Sequence, residues 1–136
     1  MQINAYVMFN GQCEAALKFY EQSLGGKIEM ISRYEGSPAA GQAPAGWENK
    51  ILHARFVLNG QTLMASDAPP DRYEPPKGFF LSLMVKNVKE AEEVFQALAT
   101  DGSVVMPLQQ TFWAIRFGML VDRFGIPWMV NCEGAE

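Results

Sequence analysis

The chain has 136 residues and a formal net charge of −4, and 49% of its residues are hydrophobic. This length and composition predict one compact domain, residues 1–136, with a sizeable hydrophobic core. The acidic balance and the lack of a basic run argue against nucleic acid as a partner, because nucleic-acid binding depends on clustered Lys and Arg. No apolar run approaches the ~20 residues of a membrane-spanning helix, so no membrane partner is expected.

The cysteines and the start of the chain indicate a reducing compartment. No signal-peptide pattern precedes the first predicted strand, so we expect a cytoplasmic protein. Cys13 and Cys132 lie far apart in the sequence and form no C-x-x-C motif. We therefore expect two reduced, buried thiols, with a disulfide or a reactive thiol as the alternative.

The first part of the chain reads as a strand, a helix and a second strand. Residues 3–9 predict the first strand and residues 27–33 the second. The pair Gly25-Gly26 ends the helix between them, since glycine readily adopts the left-handed conformation that closes a helix. The buried face of this helix, residues 11–24, is predicted from apolar residues at helical spacing: Cys13, Ala16, Tyr20 and Leu24.

A long loop and a hairpin complete the first half. Residues 35–50 are rich in Gly, Pro and Ala and show no periodicity. A loop of this length is usually functional or mobile, and we expect it to act as a lid over a ligand. The strands predicted over residues 51–58 and 61–67 flank Asn59-Gly60, the strongest short signal for a β-hairpin.

The second half repeats this order of elements. Residues 69–77 form a proline-rich connector, and a strand is predicted over residues 79–85. Asn87 caps a second helix, with Glu90 as its capping-box partner. The buried face of that helix is predicted to contain Val88, Ala91, Val94, Phe95 and Leu98. Three more strands are predicted over residues 103–108, 113–121 and 126–131, with a turn at 122–125.

The two halves are also similar residue by residue. When the chain is shifted by 76 residues against itself, Met8 aligns with Met84 and Gly26 with Gly102. Self-similarity at a fixed period indicates a repeated module. The predicted fold class is therefore α+β, with two tandem βαβββ modules, residues 1–68 and 78–133, that form curved mixed sheets around a pocket. Each helix covers one face of its sheet, and the opposite, concave face is expected to line the pocket.

Three ordered segments of the chain resemble a known family. They are AYVMFNGQCEAALKFYEQSLGG, ILHARFVLNGQTLMASDAP and TFWAIRFGMLVDRFGIPWMVN. Together they are similar to the PhnB-like branch of the vicinal-oxygen-chelate superfamily, which includes glyoxalase I, extradiol dioxygenases and bleomycin-resistance proteins. The resemblance implies the paired-module fold of that superfamily and a homodimer. Arg123 departs from the pattern, since many relatives carry proline in this turn, and we expect little consequence at a solvent-facing bend.

The resemblance also implies where a metal would bind. Metal enzymes of the superfamily hold a divalent ion with His, Gln or Glu from the first and last strands of each module. Carried onto this chain, those positions fall at or next to Asn4, Met64 (or Ser66), Phe80 and Met129. Phenylalanine has no donor atom, and thioethers are soft ligands that suit Cu(I). We therefore expect no metal and no other cofactor, which argues against glyoxalase and dioxygenase activity.

Strand alternation gives candidate ligand contacts, because alternate residues share one face of a sheet. The candidate pocket residues are Tyr6, Met8, Met64, Ser66, Phe80, Ser82, Trp113, Arg116 and Met129, with Asn131 two residues further on. This methionine-rich surface suits an unidentified, moderately apolar small molecule, although the same side chains would also serve as core. Arg116 is suited either to an anionic group or to an ion pair with Asp122 or Asp67.

His53 is the candidate catalytic residue. It is the only histidine and lies in the middle of a predicted strand, alternating with Ile51, Arg55 and Val57. An imidazole is the natural general acid or base at neutral pH, although a hydrogen-bonded structural histidine is the alternative. No Ser or Cys nucleophile constellation is visible, and no G-x-G-x-x-G motif is present to hold an adenosyl cofactor.

Three functions remain open at this point. The leading hypothesis is metal-independent small-molecule binding in the pocket between the modules, with aromatic walls from Trp47, Trp113, Trp128 and Tyr6. The alternative is a metal-independent enzyme that uses His53, with Asp67 or a tyrosine, as acid/base on a carbonyl-type substrate. The third is a structural partner-binding module, which a sealed pocket would indicate.

Overall fold

The structure is a computed structural model, and it describes residues 1–134. The chain divides into two compact units, unit 1 from Met1 to Glu74 and unit 2 from Pro75 onward. Each unit holds one α-helix and one four-stranded mixed sheet, so the described residues form two α-helices and eight strands of the α+β class. Within residues 1–134, no helix is long and apolar enough to cross a membrane.

Unit 1 follows the predicted order βαβββ. Its elements are β1 (Ala5–Phe9), α1 (Cys13–Leu24), β2 (Lys27–Arg33), β3 (Ile51–Leu58) and β4 (Gln61–Asp67). The strand order is β1-β4-β3-β2, in which β1 runs parallel to β4 and the other neighbours are antiparallel. The hairpin prediction is confirmed, since Asn59 and Gly60 both have positive φ, 50° and 79°, as a type I′ turn requires.

The helix α1 covers one face of this sheet. Tyr20 is 1% exposed and meets Phe56 of β3 edge-on, with ring centroids 6.4 Å apart. Leu17 is fully buried, whereas Leu24, which helical spacing assigned to the core, is only half-buried. Each large apolar side chain buried here contributes about 2 kcal/mol. The other fully buried residues of this core include Cys13, Ala16, Ala54 and Ala65.

Unit 2 repeats the same arrangement. Its elements are β5 (Leu81–Met84), α2 (Val88–Ala99), β6 (Ser103–Gln109), β7 (Arg116–Val121) and β8 (Pro127–Cys132). The strand order is β5-β8-β7-β6, with β5 parallel to β8. Ala91 of α2 forms a fully buried cluster with Val130 and Cys132 of β8. Leu98 of α2 is also fully buried.

The helix ends are fixed partly by local and partly by distant residues. As predicted, Asn87 Oδ1 accepts a hydrogen bond from the Glu90 amide at 2.8 Å, but Glu90 reaches back to the amide of Lys86 and not to that of Asn87. Gly25 ends α1 with φ of 87°, as predicted. The first turn of α1 has no local side-chain cap. Instead, Asp67 Oδ1 accepts from the Cys13 amide at 2.8 Å.

The glycines that align in the repeat have a common structural cause. A Cβ added at Gly26 would lie 2.6 Å from the carbonyl oxygen of Val57, and one added at Gly102 would collide with the carbonyl oxygen of Val121. In each unit, the chain leaving the helix therefore passes a neighbouring strand at a distance that only glycine permits.

Several strand boundaries differ from the prediction. The strand β1 begins at residue 5 and not at 3, and β5 covers 81–84 and not 79–85. The strand β7 begins at Arg116 and not at residue 113, because Thr111 and Ala114 close a turn. In that turn the Thr111 amide donates to the Ala114 carbonyl at 3.0 Å, and Thr111 Oγ1 accepts from the Ala114 amide at 3.1 Å. The strand β8 is shifted by one residue at each end.

The loop over residues 35–50 is more ordered than its composition suggests. It contains a short 3₁₀ turn at Ala40–Gln42. The Lys50 Nζ donates to the carbonyl of Gly11 at 2.7 Å, and the Tyr34 hydroxyl, just before the loop, donates to the carbonyl of Asp67 at 2.8 Å. Trp47 meets Tyr34 edge-on, with centroids 5.7 Å apart. The segment is therefore tied to the body of unit 1, and its action as a lid stays a prediction.

Both cysteines are fully buried free thiols. Burial raises the pKa of the Cys13 thiol well above its ordinary range, and the negative charges of Asp67 and Glu14 raise it further. Cys13 therefore stays protonated at neutral pH and does not act as a nucleophile.

Candidate functional site

The face of the unit 1 sheet opposite α1 is open, and we call it face 1. Alternate residues of β1 are buried beneath α1, which turns Tyr6 and Met8 outward with 42% and 51% of their surface exposed. Strand register places Met64 beside Tyr6 and Ser66 beside Met8. Face 1 therefore combines apolar side chains with an exposed phenol and a hydroxyl that is nearly buried, since Ser66 is 6% exposed.

Tyr6 and His53 meet on face 1. The Tyr6 hydroxyl lies 3.0 Å from His53 Nδ1, and the two rings stack with centroids 5.5 Å apart and an angle of 28°. When the hydroxyl donates to Nδ1, Nε2 is the ring nitrogen that carries the proton. Arg55, two residues along β3, lies 3.5 Å from Glu29 in an exposed ion pair. The Tyr6–His53 pair is thus a polar contact point within the open face.

The sequence analysis placed Ile51 on the same face of the sheet as His53, and this placement is wrong. Ile51 is fully buried, as are Ala54 and Phe56, whereas His53 is half-buried on face 1. The register between β2 and β3 shifts next to His53, where a bulge breaks the two-residue period.

Asp67 lies outside face 1 and is not a partner for His53. The prediction that Asp67 could act together with His53 is therefore wrong. It is 1% exposed, and its Oδ1 and Oδ2 accept from the amides of Cys13 and Ile51 at 2.8 and 2.9 Å. Burial raises the pKa of this carboxyl, and the two amide hydrogen bonds and the charge of Lys50 offset the effect only in part. Asp67 therefore organises unit 1 and is not exposed to a ligand.

The unit 2 sheet also has an open face, which we call face 2. Cross-strand register gathers six side chains there: Ser82, Met84, Phe117, Met119, Met129 and Asn131. Met84 is 63% exposed, and three of the six side chains are thioethers. Face 2 is therefore more apolar than face 1 and is suited to irregular apolar shapes.

An aromatic cluster extends face 2 at the start of β7. The Trp113 ring centroid lies 5.1 Å from that of Phe117 and 4.7 Å from that of Phe112. Trp113 is 45% exposed and Phe112 is 96% exposed. Trp128, expected as an aromatic wall, is instead in the core, where its indole N–H donates to Asp122 Oδ2 at 2.9 Å.

Arg116 does not form the predicted ion pair. Among the described residues it has no carboxylate within 4.0 Å, and its NH1 donates to the carbonyl of Ile115 at 2.8 Å. The Asp122 carboxylate accepts from two backbone amides of its own turn and from an indole. Arg116 is paired in register with the buried Cys132, so it belongs to the helix-covered side of the sheet. Phe80 precedes β5 and is half-buried.

Comparison with known proteins identifies the family. A family model described as 3-demethylubiquinone-9 3-methyltransferase matches residues 1–131. A PhnB protein from Bacillus cereus, whose solved structure has a TM-score of 0.80, is 31% identical over 97% of this chain and 99% of that one. The chain belongs to the PhnB-like family.

Further similar proteins span nearly the whole chain. Protein YjdN of Escherichia coli is 34% identical over 96% of this chain and 95% of YjdN. The crystal structure of protein PA1353 from Pseudomonas aeruginosa is 50% identical, with a TM-score of 0.89 and 98% of each chain covered. A glyoxylase/bleomycin resistance protein/dioxygenase domain from Frankia is 12% identical with a TM-score of 0.65, which shows the shared fold. The resemblance inferred from the sequence is confirmed.

The residues that the family resemblance assigns to metal positions do not fit a hard or borderline divalent ion in this PhnB-like protein. The positions are Asn4, Met64 or Ser66, Phe80 and Met129. None carries an imidazole or a carboxylate, which are the groups that Zn, Ni, Fe and Mn require. In addition, no three His, Cys, Asp or Glu side chains within residues 1–134 lie together as a metal site would need.

Sequence reasoning missed two members of face 2, Phe117 and Met119. Alternation along one strand gave Met129 and Asn131, but assigning β7 residues to the same face requires the register between β7 and β8. That register depends on where the Asp122 turn places the two strands, which composition does not reveal.

Proposed function

We propose that this PhnB-like protein binds an apolar or aromatic small molecule on its open sheet faces without using a metal ion. The observation that carries the proposal is the exposure of large apolar side chains opposite each helix: Tyr6, Met8 and Met84. Exposed apolar patches of this kind commonly mark binding sites. The proposed contacts are Tyr6, Met8, Met64, Ser66, Phe80, Ser82, Trp113 and Met129. A pocket lined by both sheets stays a prediction, as does the homodimer that the family suggests.

The methyltransferase named in the family model is not the function we propose. A methyl transfer would need a site for an adenosyl cofactor, and the sequence has no G-x-G-x-x-G motif to provide one. Binding needs only an accessible surface with polar groups that fix orientation. Face 1 offers such groups in Tyr6 and His53.

An enzyme is the second candidate, and the Tyr6–His53 hydrogen bond of 3.0 Å favours it. In this alternative the imidazole exchanges a proton with a carbonyl-type substrate at Nε2, while Tyr6 holds Nδ1. Of the two partners that the sequence offered for His53, the Tyr6 hydroxyl lies within hydrogen-bonding distance of the ring, whereas the carboxylate of Asp67 is bonded to backbone amides of the core.

The variant His53→Gln separates the two candidates. For a binding protein we expect the affinity for an apolar fluorescent probe, 1-anilinonaphthalene-8-sulfonate, to change by less than about tenfold, because one hydrogen bond contributes about 1 kcal/mol. Met8→Glu is the comparison on the same face and should weaken probe binding more, since it places a charge in the apolar contact. Turnover of a dicarbonyl such as methylglyoxal that His53→Gln slows by about 100-fold or more would establish the enzyme instead.

A further inference from the structure

Asn131 on face 2 has a buried oxygen without a partner. The residue is 5% exposed, and among the described residues its Oδ1 has no hydrogen-bond donor. Its Nδ2 donates to Glu133 Oε2 at 2.9 Å and lies 3.2 Å from the sulfur of Met84. A carboxylate and a thioether only accept, so the amide orientation is fixed and Oδ1 is the atom left over.

Such an atom calls for an explanation, because an unsatisfied buried acceptor opposes folding. A leucine of similar size at this position would pack against the neighbouring thioether without that cost. An acceptor that is costly in the free protein gains a partner if a ligand supplies the missing donor.

The neighbours of Asn131 indicate what kind of molecule carries that donor. Phe117 is its cross-strand partner on β7, and Trp113 packs on Phe117 with centroids 5.1 Å apart. Met84, its partner on β5, is 63% exposed, and its unbranched thioether can adopt other rotamers. The surroundings are therefore aromatic and apolar, and they fit a flat organic ring.

The charge next to Asn131 selects a cation. The Glu133 carboxylate is hydrogen-bonded to the Asn131 amide and would repel an anion. Arg116, the one cation within β7, belongs to the helix-covered side of the sheet. Two acceptors beside an aromatic cluster suit a protonated amine, which donates hydrogen bonds and is attracted to indole and phenyl faces.

We propose that face 2 binds an aromatic molecule bearing a protonated amine, whose N–H donates to Asn131 Oδ1 while its ring packs on the exposed side chains of Trp113 and Met84. This proposal rests on the small-molecule-binding function proposed above and names the ligand class for one of its two faces.

The test compares two probes that share an indole ring and differ in charge, tryptamine and indole-3-propionate. Each is titrated at pH 7 into the full-length ¹⁵N-labelled protein, and the side-chain amide resonances of Asn131 are followed. We expect tryptamine to shift them and to bind at least about tenfold more tightly than indole-3-propionate. Asn131→Leu should weaken tryptamine binding by about tenfold or more, whereas Gln96→Leu, at an exposed amide on α2, should leave it unchanged.

The melting temperature of Asn131→Leu separates a ligand contact from a structural role. We expect it to stay level or rise, because the substitution removes the unpartnered oxygen. Equal affinity for the two probes would overturn the proposal. So would tryptamine binding that Asn131→Leu leaves intact, since Oδ1 would then not be the atom that accepts from the amine. Absence of binding by both probes at 10 mM, a concentration on the order of weak fragment affinities, would overturn it as well. The small-molecule-binding function proposed above is tested separately, by whether a ligand co-purifies with the protein.

Discussion

Asp67→Asn should destabilise the protein by about 3 kcal/mol, although the substitution changes a single atom. Asp67 is 1% exposed, and each of its two oxygens accepts from a backbone amide, that of Cys13 at 2.8 Å and that of Ile51 at 2.9 Å. Asparagine offers one acceptor in place of two, so its NH₂ would face a backbone N–H. Because these amides belong to the start of α1 and the start of β3, both elements lose an anchor.

Urea unfolding of the two proteins measures this effect, and Asp71→Asn is the matched control. Asp71 is exposed, and its substitution should change the free energy of unfolding by less than about 0.5 kcal/mol. If Asp67→Asn unfolded at the same urea concentration as Asp71→Asn, the structural role assigned to Asp67 would be wrong.

The same pair of proteins gives a pH signature. Burial raises the pKa of the Asp67 carboxyl, so the folded chain holds this proton more tightly than the unfolded chain does. Its contribution to stability is therefore greatest below the ordinary Asp pKa of about 4 and declines as the pH rises through the raised value. Asp67→Asn removes this titrating group, so the unfolding free energy of the variant should vary less between acidic and neutral pH than that of the parent protein.

Gly102→Ala is expected to cost about 2–3 kcal/mol, which corresponds to roughly 10 °C in melting temperature for a chain of this size. The added methyl group collides with the carbonyl oxygen of Val121, and its other near neighbours are backbone atoms of Asp122 at 3.0 Å. Backbone atoms within the unit 2 sheet have little freedom to move aside. The strand β6 and helix α2 would therefore have to shift together.

The control for Gly102→Ala is Gly41→Ala. A Cβ at Gly41 meets nothing within 4 Å, and its φ is not positive, so a change below about 0.5 kcal/mol is expected. Thermal unfolding of both variants, followed by circular dichroism, makes the comparison. Equal melting temperatures would contradict the close approach between residue 102 and β7.

The features that sequence analysis predicted well are those set by neighbouring residues. The turn at Asn59-Gly60, the Asn87 cap and the end of α1 at Gly25 each depend on a few adjacent residues. The similarity between the two halves also predicted that the order of elements repeats. The aligned glycines at residues 26 and 102 are required by the same close approach of the chain to a neighbouring strand in both units.

The features that the sequence analysis missed depend on the register between strands that are far apart in the sequence. The amide of Cys13 and the carboxylate of Asp67 are 54 positions apart, and Tyr6 and His53 are 47 apart. Residue types alone made Asp67 as good a partner for His53 as a tyrosine. Only the pairing of β1 with β4 and of β4 with β3 shows that Asp67 points into the core while Tyr6 reaches the imidazole.

The central claim is that this PhnB-like protein binds a small organic molecule without a metal. Native mass spectrometry of untagged protein, purified under gentle conditions without chelator, tests it most directly. We expect the protein mass to be increased by a stoichiometrically bound organic molecule, with no stoichiometric divalent metal. A stoichiometric Zn, Ni, Fe or Mn adduct would contradict the claim, because it would show that donor groups other than Asn4, Met64, Phe80 and Met129 assemble a metal centre.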